Sequence, residues 1–152
     1  MTEVNWAFAG RSRSTRAEFD TAGRLTKPMH TVWDHWIDSE TEEEVNDEGD
    51  MFLQSDGTVL EKGVNEDGST YEELWEDLEA KVVGRDEKLV SYVLRVEDRE
   101  RRARGMCIRI GKWIQGTLRV GSDFTVVRWM WDAEEVSCCS VVVLGISLSW
   151  VG

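Results

Sequence analysis

The chain is predicted to be an all-β protein, one antiparallel domain whose strands close into an up-and-down barrel or pack as a sandwich. Three observations predict it. Residues 29–38 alternate at a period of two, with Met29, Thr31, Trp33, His35 and Ile37 on one face and His30, Val32, Asp34, Trp36 and Asp38 on the other. Short β-rich runs recur along the chain with glycine-bearing turns between them. A single proline, Pro28, stands at the entry of the central run and leaves few forced strand breaks elsewhere.

Val4–Ala9 reads as an opening strand, and the arginine-rich, Ser/Thr-rich stretch 11–16 as a loop or frayed arm. A phosphate site there lacks the helix start or glycine cradle it needs. The octet 31–38 is the centre of the pattern and carries two of the eight tryptophans. Residues 39–50 are so acidic that they read as a solvated loop, without the alternating oxygen ligands of a calcium loop. Met51–Gln54 and Val59–Glu61 flank Asp56-Gly57, the clearest hairpin signal in the chain. A second turn is expected at residues 66–68. Residues 71–78 are ambiguous: Tyr71, Leu74, Trp75 and Leu78 make a helical stripe, whereas Tyr71, Glu73, Trp75 and Asp77 make a strand face. Periodicity alone puts helix slightly ahead. Residues 89–96, 105–110, 113–120, 124–131 and 137–144 then read as successive strands, with a charged turn at 97–104 and another at 121–123.

The formal charge of −12 is concentrated in residues 34–79, where 18 acids face one lysine. Such a surface repels phosphate, so neither nucleic acid nor an anionic membrane is an expected partner. Three cysteines, two of them adjacent at 138–139, make no disulfide framework and suggest a reducing, cytoplasmic setting. No charged-then-apolar leader is present. The longest apolar run, Val141–Ile146, is too short to span a bilayer. That run, with tryptophans on both faces of residues 29–38, leads us to expect a homodimer. Nucleotide loops, nucleophile elbows and zinc motifs are absent, and His30 and His35 fall on opposite faces of one strand, so no metal and no cofactor is expected.

Six ordered motifs carry a resemblance: Asn5–Gly10, Val32–Ser39, Asp47–Phe52, Tyr71–Trp75, Ala103–Met106 and Gln115–Gly121. Together, across roughly residues 5–131, they resemble the fungal Hri-type family, small lipocalin-like barrels named for association with a casein kinase. The resemblance implies a single lipocalin-like β-barrel over residues 1–152, and it implies that the Tyr-Glu-Glu-x-Trp segment is a strand rather than a helix. The chain departs from the pattern in starting almost on the first motif and in its tail, residues 133–152.

Two functions are compatible with these residues. The first, suggested by small cofactor-free barrels of fungal secondary metabolism, is a cyclase or isomerase acting on a hydrophobic aromatic molecule, for example by closing a cyclic ether. Glu73, caged by Tyr71 and Trp75, is then the candidate acid, and His35 beside Trp33 the candidate base. Trp33, Tyr71, Trp75 and Trp129 would wall the ligand, and Arg109 and Arg128 would hold an enolate or phenolate oxygen. The second is a non-catalytic carrier of a similar ligand, or an interaction module whose acidic half suits a basic partner such as a kinase surface.

Overall fold

The computed structural model describes residues 6–65, 67–82 and 89–130. Every regular element among them is a strand: β1 (Phe8–Ser14), β2 (Glu18–Phe19), β3 (Leu25–Lys27), β4 (Met29–Asp38), β5 (Val45–Leu53), β6 (Val59–Val64), β7 (Thr70–Trp75), β8 (Ser91–Asp98), β9 (Ala103–Ile110), β10 (Trp113–Val120) and β11 (Asp123–Met130). The ladders β2–β3, β4–β5, β5–β6, β6–β7, β8–β9, β9–β10 and β10–β11 are antiparallel. They belong to three sheets, ordered β1-β4-β5-β6-β7, β11-β10-β9-β8 and β2-β3, and none closes on itself among the described residues. The described chain falls into two compact units, one built from residues 10–35 and 45–78 and the other from residues 6–9, 36–44, 79–82 and 89–130.

The first unit holds the ladder that joins β4 to β7. β4 spans the predicted residues, and its alternation is read out as burial: Thr31, Trp33, His35 and Ile37 are buried while their neighbours are half-covered, except Asp38, which is also buried. Register then fixes which residues share the inner face. Thr31 lies opposite Gly49, Trp33 opposite Asp47, and His35 opposite Val45. Gly49 lies opposite Gly63, and Met51 opposite Glu61. Gly63 in turn faces Tyr71, Glu61 faces Glu73, and Val59 faces Trp75. The outer face carries the solvated pairs, among them Arg13–Asp34 at 2.8 Å, Lys62–Glu72 at 2.6 Å and His30 Nδ1–Asp50 Oδ1 at 2.9 Å.

Three expectations are corrected here. Residues 11–14 are not an arm but the second half of β1, which begins at Phe8, Trp6 and Ala7 lying before it; Val4 and Asn5 are outside the described residues. Half of the expected acidic loop is strand, because β5 starts at Val45 and pairs with β4, its Glu48 and Asp50 on the outer face alternating with Asp47, Gly49 and Met51 on the inner one. Residues 70–75 are a strand, as the resemblance implies, and not the helix that periodicity alone favours: a partner strand of matching register was available in β6, and pairing overrides a marginal helical stripe. The hairpin forms where Asp56-Gly57 predicts it, but only Gly57 takes positive φ, while Asp56 Oδ1 accepts from Thr58 N and Oγ1.

The second unit contains the four-stranded sheet. Its core face carries Met106, Thr117, Arg119, Val126 and Arg128, all buried. The end of β4 is held within this unit by arginines. Arg119 donates to the Asp38 carbonyl through Nε (2.9 Å) and through Nη2, and to the Gly121 carbonyl through Nη1 (3.1 Å). Arg104 donates to the Trp36 carbonyl at 3.0 Å, and the Arg95 guanidinium sits 3.7 Å from the centre of the Trp36 ring. Arg102 takes the left-handed φ of the β8–β9 turn and pairs with Glu42. Trp131, the expected strand at 137–144 and the apolar tail behind the dimer expectation lie outside the described residues.

Candidate functional site

Two surfaces carry chemistry, one in each unit. In the first unit the inner face of β4–β7 gathers an acid and aromatic cluster around Glu61. Glu61 is 1% exposed, yet both carboxyl oxygens are engaged: Oε1 lies 2.8 Å from the Tyr71 hydroxyl, and Oε2 accepts the Trp75 indole N–H at 2.7 Å. The Tyr71 hydroxyl also lies 3.1 Å from Asp47 Oδ1 and 3.3 Å from the Glu48 carbonyl. Trp75 stacks on Trp33 with ring centres 5.9 Å apart and planes 9° apart.

Glycine makes this packing possible. A Cβ on Gly49 would lie 2.6 Å from Glu61 Cγ, and one on Gly63 would lie 2.1 Å from Tyr71 Cζ and 2.2 Å from its hydroxyl oxygen. The tyrosine therefore lies flat across β6, reaching from β7 to β5, only because no side chain stands at residue 63. Burial pushes the Glu61 carboxyl above the usual carboxylate range. The hydrogen bonds from Tyr71 and Trp75 pull the other way, and the charges of Glu73 and Asp47 add to the upward push. Burial and the same carboxyl raise the Tyr71 hydroxyl further, so it keeps its proton. Glu73 is raised as well, by desolvation and by Asp47.

Of the residues singled out from sequence, Trp33, His35, Tyr71, Glu73 and Trp75 fall on this one face. His35 is buried, whereas Glu73 is exposed on β7, the edge strand, and Glu61 opposite it takes the enclosed position. Sequence reasoning missed Glu61. The signal was the Asp56-Gly57 hairpin, since the register that puts Val59 opposite Leu53 also turns Glu61 inward beside Met51.

The second surface is an apolar groove of about 390 Å³ on the four-stranded sheet. It is walled by Leu94, Val96, Leu118, Val127 and Trp129, with Gly105 and Gly116 in its floor and Cys107 between them. Leu94, Val96 and Leu118 are exposed. A Cβ on Gly116 would lie 3.3 Å from Val127, so the groove owes its depth to missing side chains. Trp129 lines it, and Arg109 lies on the same sheet face, donating to the Gly111 carbonyl at 3.1 Å. Arg128 is on the opposite face, buried, with its guanidinium 4.7 Å from the centre of the Trp113 ring. The two arginines are thus not brought together, because adjacent register positions place them on opposite faces. Burial lowers the Arg128 pKa from its ordinary value, and it lifts that of the Cys107 thiol. Among the described residues, no group of three His, Cys, Asp or Glu side chains is placed to hold a metal ion.

A family model described as Protein HRI1 matches residues 1–149 of the chain. No curated protein and no solved structure matches it.

Proposed function

The chain belongs to the Protein HRI1 family, and on that premise we propose that it binds a hydrophobic small molecule in the groove of its four-stranded sheet. The observation that carries this reading is the groove itself: about 390 Å³, with walls almost wholly apolar and a tryptophan at one side. That volume lies in the range of small-ligand sites, and a flat apolar molecule would gain about 25 cal/mol for each Å² of apolar surface withdrawn from water. Arg109 and Tyr92, paired opposite each other on the same face, supply polar groups beside it. A single lipocalin-like barrel, the architecture that the resemblance implies, belongs to the same proposal.

The test uses N-phenyl-1-naphthylamine, a neutral aromatic probe that avoids repulsion from the chain's −12 charge. Saturable binding with quenching of Trp129 emission is the expected result. Gly116→Leu fills the floor and should weaken binding at least tenfold while leaving the far-ultraviolet circular dichroism unchanged. Absence of saturable binding, or equal affinity in Gly116→Leu, would overturn the assignment.

A second reading, cofactor-free acid–base conversion of such a molecule, is favoured by one observation, the enclosed Glu61 carboxyl on the same face as His35 and Glu73. In that reading Glu61 rather than Glu73 is the group kept protonated by its surroundings. Glu61→Gln would then abolish turnover of a substrate that still binds, and retained turnover would exclude it.

A further inference from the structure

The Tyr71 hydroxyl has one proton and three acceptors around it, Asp47 Oδ1, Glu61 Oε1 and the Glu48 carbonyl, at 3.1, 2.8 and 3.3 Å. If Asp47 and Glu61 were both ionised, the hydroxyl could serve only one of them. Its lone pairs would face the other carboxylate with no proton between them. One more proton resolves the conflict, and its natural holder is the more enclosed carboxyl.

We propose that Glu61 is an internal acid that keeps its proton and exchanges it with the surface through Tyr71 and Asp47. Its Oε1–H donates to the tyrosine oxygen, the tyrosine O–H donates to Asp47 Oδ1, and the Trp75 indole N–H donates to the remaining Glu61 oxygen. Each polar atom of the group is then satisfied. Exchange is balanced: the Glu61 O–H bond breaks as a new Tyr71 O–H forms, the original tyrosine proton passes to Asp47, and the tyrosine ends neutral.

The surroundings agree on which carboxyl holds the proton. On the inner face of β4–β7 the titratable groups are His35 on β4, Asp47 on β5, and Tyr71 and Glu73 on β7, and no lysine or arginine is among them. Lys62 is on the outer face, paired with Glu72. Asp47 is half-exposed, whereas Glu61 is enclosed. Desolvation acts on Glu61 in the direction of the neutral form. The inference stands whether or not a ligand is converted, because it concerns a proton and not a substrate.

A glutamine at residue 61 copies the neutral acid, with the amide donating to Tyr71 and the carbonyl accepting from Trp75. A carboxyl raised in the fold contributes its full stability below the unfolded value, about 4.3, and loses it as pH rises through the folded value. The urea midpoints of the wild type and Glu61→Gln should therefore coincide below the unfolded value, about 4.3, and separate as pH rises above it, the glutamine variant becoming the more resistant. A constant deficit of the glutamine variant at every pH would show that Glu61 is ionised and overturn the proposal.

Carbon-13 carboxyl resonances of the unmodified protein give a second reading that needs no variant. Glu61 should titrate above the exposed glutamates, with the Trp75 indole N–H moving at the same midpoint. Titration in the ordinary range would overturn the proposal. The Asp47 resonance should show an inflection at the Glu61 midpoint that Tyr71→Phe removes, and an inflection surviving in the phenylalanine variant would overturn the route through Tyr71.

Discussion

Replacing Gly63 by alanine places a methyl group where the Tyr71 ring now lies. The ring has no room to slide, since its hydroxyl is held between Asp47 and Glu61 on the far side of β6. Overpacking of this kind costs about 1–3 kcal/mol. Displacing the ring also forfeits the bond to the enclosed Glu61, about 1–2 kcal/mol. Alanine in a strand recovers roughly 0.5–1 kcal/mol over glycine. The net is a loss of about 3 kcal/mol, which at a urea dependence of about 2 kcal/mol/M moves the unfolding midpoint down by about 1.5 M.

The informative measurement is the cycle with Tyr71→Ala. Once the ring is gone, Gly63→Ala should cost nothing or stabilise slightly, giving a coupling of about 3 kcal/mol. A neutral Gly63→Ala, or equal costs in both backgrounds, would refute the argument that glycine exists there to seat the tyrosine.

Two further outcomes are expected. Arg119→Met keeps the apolar stem but removes three hydrogen bonds that hold the Asp38 and Gly121 carbonyls; it should cost about 3 kcal/mol in urea unfolding, and a loss under about 1 kcal/mol would show that the clamp is incidental. Asp56 and Asp67 lie below the usual aspartate range, chiefly through side-chain bonds from Thr58 and Ser69. Their contribution is present above the unfolded value, about 3.9, and fades as pH falls through the folded one, so Asp56→Asn with Asp67→Asn should flatten the acid limb of the stability profile.

Much of the fold was legible because its strands announce themselves. The alternation of residues 29–38 survives intact as β4, and 105–110, 113–120 and 124–131 lie largely within β9, β10 and β11. What failed were the segments whose composition contradicts their pairing. Residues 11–14 and 45–50 are charged enough to pass for loops, yet each is held by a neighbouring strand that sequence does not display. Residues 70–75 needed β6 to decide between two periods. The site was half legible for the same reason. Trp33, His35, Tyr71 and Trp75 are recognisable by type, but Glu61 becomes visible only when the β5–β6 register is known, and the groove only when Gly105 and Gly116 are seen side by side with the apolar wall.

Strand β8 has a consequence for how the protein behaves at high concentration. Among the described residues it is an edge strand, and Tyr92, Val93, Leu94 and Val96 are all exposed along it. An edge of that composition is a template for pairing with another chain. Arg95 is the single cation in Ser91–Asp98, and its guanidinium is committed to the face of Trp36. The residue that would act as a charged gatekeeper against strand addition is thus also a packing residue. Conditions that loosen the Arg95–Trp36 contact would free the strand to recruit neighbours, so precipitation of this protein is expected to begin from β8 and to be suppressed by a second charge at Val93, whose side chain projects from the same face as Arg95.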